Sequence, residues 1–259
     1  MSEDNLSAES IRKDLGTRII GREVLYYPTL SSTMTEAGKQ AQKGAAGGTV
    51  VITEEQTAGR GRMNRAWLTP GGNIALSVIL YPDLAFLPSL IMVASLAVVG
   101  AIEGVTGLKP GIKWPNDILI KGKKVCGILI ENNVQGGVVN YTIIGIGINV
   151  SLIPADFPEI QPMATGLADE LGREVSRQAV VRRLLVEMDS LYLSVVAGGS
   201  IYEPWRDNMI TLGKQVRVTE GKTVSEGVAE SVAPDGSLLL RGGDGKLTRI
   251  VAGDVTLRE

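Results

Sequence analysis

From Leu84 to Ile102 the chain carries no charged residue, "LAFLPSLIMVASLAVVGAI". A run of this kind has two solutions, a membrane span or a helix wrapped by its own protein, and the choice decides what the rest of the chain can fold into. Proline suits the first turn of a helix, where its missing donor is not needed, so Pro88 should open this one. From there to Glu103 is about 15 residues, short of the ~20 that a bilayer core requires. The run therefore reads as a helix buried on most sides within a soluble domain, and no membrane partner is expected.

The remaining segments supply layers to cover it. The first twenty residues form a polar lead-in with a weak apolar pattern. "EVLYYPTL" reads as a strand, "SSTMTEAGKQAQKG" as a helix capped at its start by Ser or Thr and stopped by Gly44, and "GGTVVITEEQ" as a buried strand. "NIALSVIL", "GIKWPNDILI", "KKVCGILIENN" and "VNYTIIGIGINV" follow as strands set apart by Gly or Asn turns. Ser176 to Val196 is the clearest amphipathic helix, with Val180, Val181, Leu184, Leu185, Met188, Leu191, Tyr192 and Val195 on one side, and it is expected to cover a sheet. Beyond Gly213 the pattern turns to short alternating runs punctuated by "PDGS" and "GGDGK". These predict a small β-barrel-like unit, residues 213–259, packed on a larger α+β unit, residues 1–212, whose mixed sheet is flanked by helices.

Composition narrows the chemistry. With no histidine, a Ser-His-Asp triad, a Cys-His pair and a histidine-ligated zinc are all excluded. The single cysteine, Cys126, permits no intrachain disulfide, and no export leader is evident, which together point to a reducing, cytoplasmic setting. A formal net charge of -2 gives no reason to expect nucleic acid. A hard ion such as magnesium, held through substrate phosphates, is the metal such a chain could use.

Three constellations can carry chemistry. In "EEQTAGRGRMNRAW", Gly59 and Gly61 allow close approach and positive φ, while Arg60, Arg62 and Arg65 can fork onto phosphate or carboxylate oxygens. A solvated turn and an Arg-Gly nucleic-acid segment are the bland alternatives. In "KWPND", Pro115 would hold Trp114 extended and present Lys113, Asn116 and Asp117 as a rigid polar edge, unless Trp114 is simply core. In the two glycine strands, Gly145 and Gly147 share one face, as do Gly127, Leu129 and Glu131. That predicts a bare patch against which a ligand or another backbone lies, with tight helix-on-sheet packing as the alternative and Lys124 at its mouth.

"SST" at Ser31–Thr33, "GRGRMNRAW", "KWPNDI", "KKVCGILIE" and "GIGINV", in this order and spacing, resemble biotin protein ligases from about residue 20 onward. The resemblance implies a class II aminoacyl-tRNA synthetase-like catalytic domain with an SH3-like carboxy-terminal barrel. It implies a two-step reaction as well: biotin and MgATP give biotinyl-5′-adenylate, and a lysine of a biotin carboxyl carrier protein or domain then attacks it. Residues matching Ser32, Thr33, Gln56, Arg60, Gly61, Arg62 and Lys124 would contact biotin or its adenylate. Lys113, Asn116 and Asp117 would lie at the same site, Asp117 being also a weak metal ligand and a candidate proton acceptor. Gly59, Arg65, Trp67, Gly127, Gly145, Gly147 and Asn149 complete the expected site, with Arg62, Lys124, Lys113 and Asp117 as its catalytic candidates. Met34 stands where such ligases commonly have Asn, and Met63 and Asn64 replace a charge and a glycine of the usual loop. A homodimer is an expectation of the same resemblance, and the chain is expected to lack the winged helix-turn-helix of repressor relatives. A lipoate–protein ligase is the nearest alternative, and a biotin-sensing DNA-binding regulator is the alternative of another class.

Overall fold

The computed structural model describes residues 6–158 and 160–257, and the side chain of Asn64 lies outside what it describes. The ends of both expected units, 1–5 and 258–259, lie outside the described residues as well. The lead-in holds one short helix, α1 (Ala8–Arg12), closed at its start by a reciprocal Ser7–Ser10 capping box.

The main sheet begins with β1 (Val24–Leu30), α2 (Thr33–Gln42) and β2 (Val50–Gln56), a crossover that leaves β1 and β2 parallel. It continues through β3 (Ile74–Leu80), α3 (Leu90–Thr106), β4 (Gly111–Lys113), β5 (Asp117–Ile120), β6 (Lys123–Gln135) and β7 (Val138–Ile148). The seven strands lie in the order β1-β2-β3-β7-β6-β5-β4, antiparallel apart from the first pair. The α+β class with a mixed sheet flanked by helices is thus observed. Lys113 and Asp117 are joined by a tight turn through a cis Trp114–Pro115 peptide, so KWPND is a hairpin corner instead of an extended edge.

The helical run is longer than Pro88 suggests. A 3-10 segment, Leu84–Ser89, takes in Pro88 and leads directly into α3, giving 23 residues long and apolar enough by composition to span a bilayer. Length therefore does not separate the two readings. Burial does: Leu90, Val93, Ala94, Ala97, Val98, Ala101 and Ile102 are fully enclosed by the fold, and Gly107 in the left-handed conformation ends the helix.

After β7 come α4 (Leu167–Leu171), α5 (Arg177–Val196) and α6 (Tyr202–Asp207). Ser176 caps α5 by accepting from the Ala179 N–H, as its sequence predicts. The chief neighbours of α5 are α3 and α1, so its apolar face meets helices rather than the expected sheet. It also ties down the lead-in: the buried carboxylate of Asp189 accepts from the backbone N–H groups of Arg18, Ile19 and Ile20, each at 2.8 Å.

A second sheet is built from β8 (Gln215–Glu220), β9 (Thr223–Val232), β10 (Leu238–Arg241), β11 (Leu247–Ile250) and β12 (Asp254–Leu257). Its antiparallel order is β11-β10-β9-β8-β12, and its outer strands β11 and β12 are not paired with each other. The sheet is open. Trp114 fastens it to the main body: its ring is buried, its backbone N–H donates to Thr211 Oγ1 at 2.9 Å and its Nε1 donates to the Gly236 carbonyl at 2.8 Å.

Candidate active site

A cavity of about 750 Å³ opens on the main sheet, and every expected site residue except Ser32 and Gly59 lines it. Its two ends differ in chemistry. One end lies where β2 and the start of α2 meet. There the Thr33 N–H and hydroxyl donate to Gln56 Oε1 at 2.9 and 3.2 Å, Gln56 Nε2 donates to Thr69 Oγ1, and the Ser77 hydroxyl donates to Thr33 Oγ1 at 2.8 Å. Ser32 sits at the N-cap of α2 without a capping bond, and its hydroxyl oxygen is buried with no hydrogen-bond partner. A buried hydroxyl left unpaired costs about 1–3 kcal/mol, which marks this corner as a place where a polar ligand group would restore a bond.

The other end is cationic. Residues Gly59–Trp67 form a tight hairpin: the Trp67 N–H donates to the Gly59 carbonyl at 2.9 Å and the Gly61 N–H to the Arg65 carbonyl at 2.8 Å. Neither glycine has positive φ; that conformation falls on Met63, with φ 55. Gly59 is needed for closeness instead, since a Cβ there would collide with the Trp67 carbonyl. From this hairpin Arg62 points inward, donating to Asn116 Oδ1 at 2.8 Å and to the Gly253 carbonyl at 3.0 Å. Burial lowers the pKa of Arg62, with Asp117 and Asp254 pulling the other way. Arg65 pairs with Asp254, and that hydrogen bond raises its pKa. Arg60 reaches Glu131 at 3.3 Å on the surface.

Lys124 and Asp117 form an ion pair at 2.6 Å, while Lys113 lines the cavity without an ion-pair partner among the described residues. The Lys124 backbone is fixed on both sides, its N–H donating to Met163 and its carbonyl accepting from Thr165. Asn149, expected to touch ligand, turns its side-chain amide to the carbonyls of Thr165 and Lys124 at 3.2 and 3.5 Å, and so holds the strand that carries Lys124.

The glycine patch is real, but it is not bare. Gly127 pairs with Gly147 across β6 and β7, and the Trp67 indole lies over both, so that a Cβ at Gly147 would collide with it. Lys124 Nζ stands 5.4 Å from the centre of that ring, a cation–π contact. Met34 lies over Gly145. The strand spacing therefore foretold close approach without foretelling what approaches. Two further wall segments carry no motif that points to the site: Ile160–Ala164 and, from the second sheet, Asp254–Leu257.

A mostly apolar cavity with a hydroxyl–amide corner at one end and converging guanidinium and ammonium groups at the other suits an apolar acid beside a polyanion. Comparison with known proteins agrees. Residues 26–149 match the Biotin/lipoate A/B protein ligase family and residues 211–258 the biotin protein ligase C-terminal domain. The chain is 38% identical to the bifunctional ligase/repressor BirA of Bacillus subtilis, over 97% of this chain and 79% of that protein. It is 31% identical to the biotin–acetyl-CoA-carboxylase ligase of Mycobacterium tuberculosis, over 97% of each. Among solved structures, the biotin protein ligase from Aquifex aeolicus in complex with biotin and ATP superimposes with a TM-score of 0.78 at 28% identity, covering 92% of this chain and 99% of that one. The chain belongs to the biotin protein ligase family.

Proposed function

We propose that this protein activates biotin with ATP and transfers it to a lysine of a biotin carboxyl carrier protein or domain. The observation that carries the reading is the pairing, in one cavity, of the Thr33–Gln56 corner, with the buried Ser32 hydroxyl behind it, and the Arg62–Lys113–Lys124 cluster. In the first step a carboxylate oxygen of biotin attacks the α-phosphorus of ATP, a P–O bond forms, and pyrophosphate departs with the bonding pair of the broken P–O bond. Both reactants are anions, so the work lies in bringing them together and neutralising them. Arg62, Lys113 and Lys124 supply the positive charge, Asn116 and Gly253 orient Arg62, and Asp117 orients Lys124. In the second step the carrier amine attacks the acyl carbon, an amide forms, AMP leaves and the amine gives up a proton, for which Asp117 is the acceptor we propose.

Magnesium enters as part of MgATP. The described residues include no cluster of three acidic or sulfur ligands, so the donor set does not suit a resident metal. We place the catalytic unit at 1–212 and the small β unit at 213–259, the latter closing toward an SH3-like barrel. Cytoplasmic residence fits the buried, unpaired Cys126 and the use of ATP. The homodimer is tested by light scattering with and without biotin and ATP.

The test of the reading is pyrophosphate release by the purified chain given ATP with biotin or with lipoate, followed by label transfer to an apo carrier domain. Release with biotin and transfer to the carrier are expected. Release with lipoate alone would move the assignment to the lipoate branch of the family.

A further inference from the structure

Three glycines on one face of β6 and β7 make room, but not for the same neighbour. Gly127 and Gly147 admit the Trp67 indole, whereas a Cβ at Gly145 would stand 2.5 Å from Met34 Sδ and 3.0 Å from its Cγ. Gly145 is the register partner of Ser77, whose hydroxyl reaches Thr33, so Met34 lies at the polar end of the cavity and lines it there. The root of this side chain is fixed. Residue 34 follows Thr33, whose N–H is held by Gln56, and the Glu36 N–H donates to the Ser32 carbonyl. Met34 belongs to a buried apolar cluster with Ala37, Ala41, Val51, Ile79 and Ile143, and its unbranched thioether can change rotamer at little cost.

We propose that Met34, accommodated by Gly145, is the end wall of the cavity and selects among carboxylic acids by the size of their head group. The inference rests on the reading of the cavity as a biotin-activating site. A ligand entering head first meets the thioether beside the Ser32–Thr33–Gln56 corner. One methylene of misfit in an apolar pocket changes selection roughly 10- to 200-fold, so the space held by Met34 is enough to decide between close analogues.

The experiment is a cycle of Met34→Ala, Gly145→Ala and the double variant, with Met34→Leu as the conservative comparison. Each is assayed for pyrophosphate release with biotin and with biotin methylated on a ureido nitrogen, and for thermal unfolding without ligand. Gly145→Ala should raise KM for biotin about tenfold or more with kcat nearly kept, because the new methyl drives the thioether into the cavity. Adding Met34→Ala should restore KM to within about threefold. Met34→Ala alone should narrow the preference for biotin over its methylated form about tenfold, and Met34→Leu should retain it. Equal damage by Gly145→Ala in both backgrounds would assign the glycine to the ligand and overturn the proposal, as would an unchanged preference in Met34→Ala. If the unaltered chain releases no pyrophosphate with biotin, the functional reading fails. The wall is then judged from unfolding, where Gly145→Ala must lower Tm less in the Met34→Ala background for the pairing to stand.

Discussion

Replacing Asn116 by alanine separates positioning from folding at the cationic end of the cavity. The Asn116 side chain spans two groups: Oδ1 accepts from Arg62 at 2.8 Å and Nδ2 donates to the Ile128 carbonyl on β6 at 2.7 Å. Arg62 has one other acceptor among the described residues, the Gly253 carbonyl at 3.0 Å. Truncation leaves the guanidinium with half of its anchoring while sparing the charge itself. A hydrogen bond to a charged group contributes about 1.5–3 kcal/mol, which corresponds to a roughly ten- to hundredfold change in an equilibrium constant. We expect KM for ATP to rise and the biotinyl adenylate to dissociate faster by factors in that range, read by pyrophosphate release against ATP concentration and by a chase of labelled adenylate. Because the site is partly open to water, global stability should fall by only about 1 kcal/mol in urea unfolding. A variant that loses that much stability or more while keeping its ATP KM and adenylate lifetime would reduce Asn116 to a structural clip and refute its role in orienting Arg62.

Trp67→Ala should raise Kd for biotin roughly tenfold, since it removes the apolar cover over Gly127 and Gly147 and the ring beneath Lys124; isothermal titration with biotin checks this. Asp189→Ala, which orphans three backbone donors at once, should destabilise the fold by about 3 kcal/mol or more in urea unfolding while leaving KM for biotin nearly unchanged. The Asp235 carboxyl is held below its usual range chiefly by the Ser237 hydroxyl in the turn before β10. A depressed carboxylate stabilises fully above its unfolded pKa of about 3.9 and loses that contribution as pH falls through the folded value. The Tm difference between the native chain and Asp235→Asn should therefore be largest at neutral pH and shrink below about pH 4; a difference that grows with acid contradicts the assignment.

Much of the scaffold can be read from local patterns because strand alternation and turn glycines act over a few residues. β1, β2, β3, β6 and β7 fall where the sequence places them. What periodicity cannot supply is the identity of the neighbour: the apolar face of α5 is plain in its spacing, yet it meets α3 and α1 instead of a sheet. Likewise the glycines of β6 and β7 announce close approach, and only the folded chain reveals Trp67 and Met34 as the groups that approach. The arginine hairpin is recognisable from its donors. Its restraints are not, because Gly253 and Asp254 lie 191 and 189 residues from the arginines they hold, and contacts at such distance leave no trace in spacing. Pro88 misleads for a related reason, since a 3-10 turn takes in the proline and extends the helical run on its amino-terminal side.

The bond from Arg62 to the carbonyl of Gly253 also sets a timetable. Ribosomes add roughly 5–20 residues per second, so the 191 positions between donor and acceptor amount to roughly 10–40 s during which the arginine has been made and its acceptor has not. Thr69 and Ser77, which complete the hydroxyl–amide corner, are made early in that interval, whereas the second acceptor for Arg62 is made at its end. A chain that ends before Gly253 therefore lacks one of the two acceptors that hold Arg62 among the described residues.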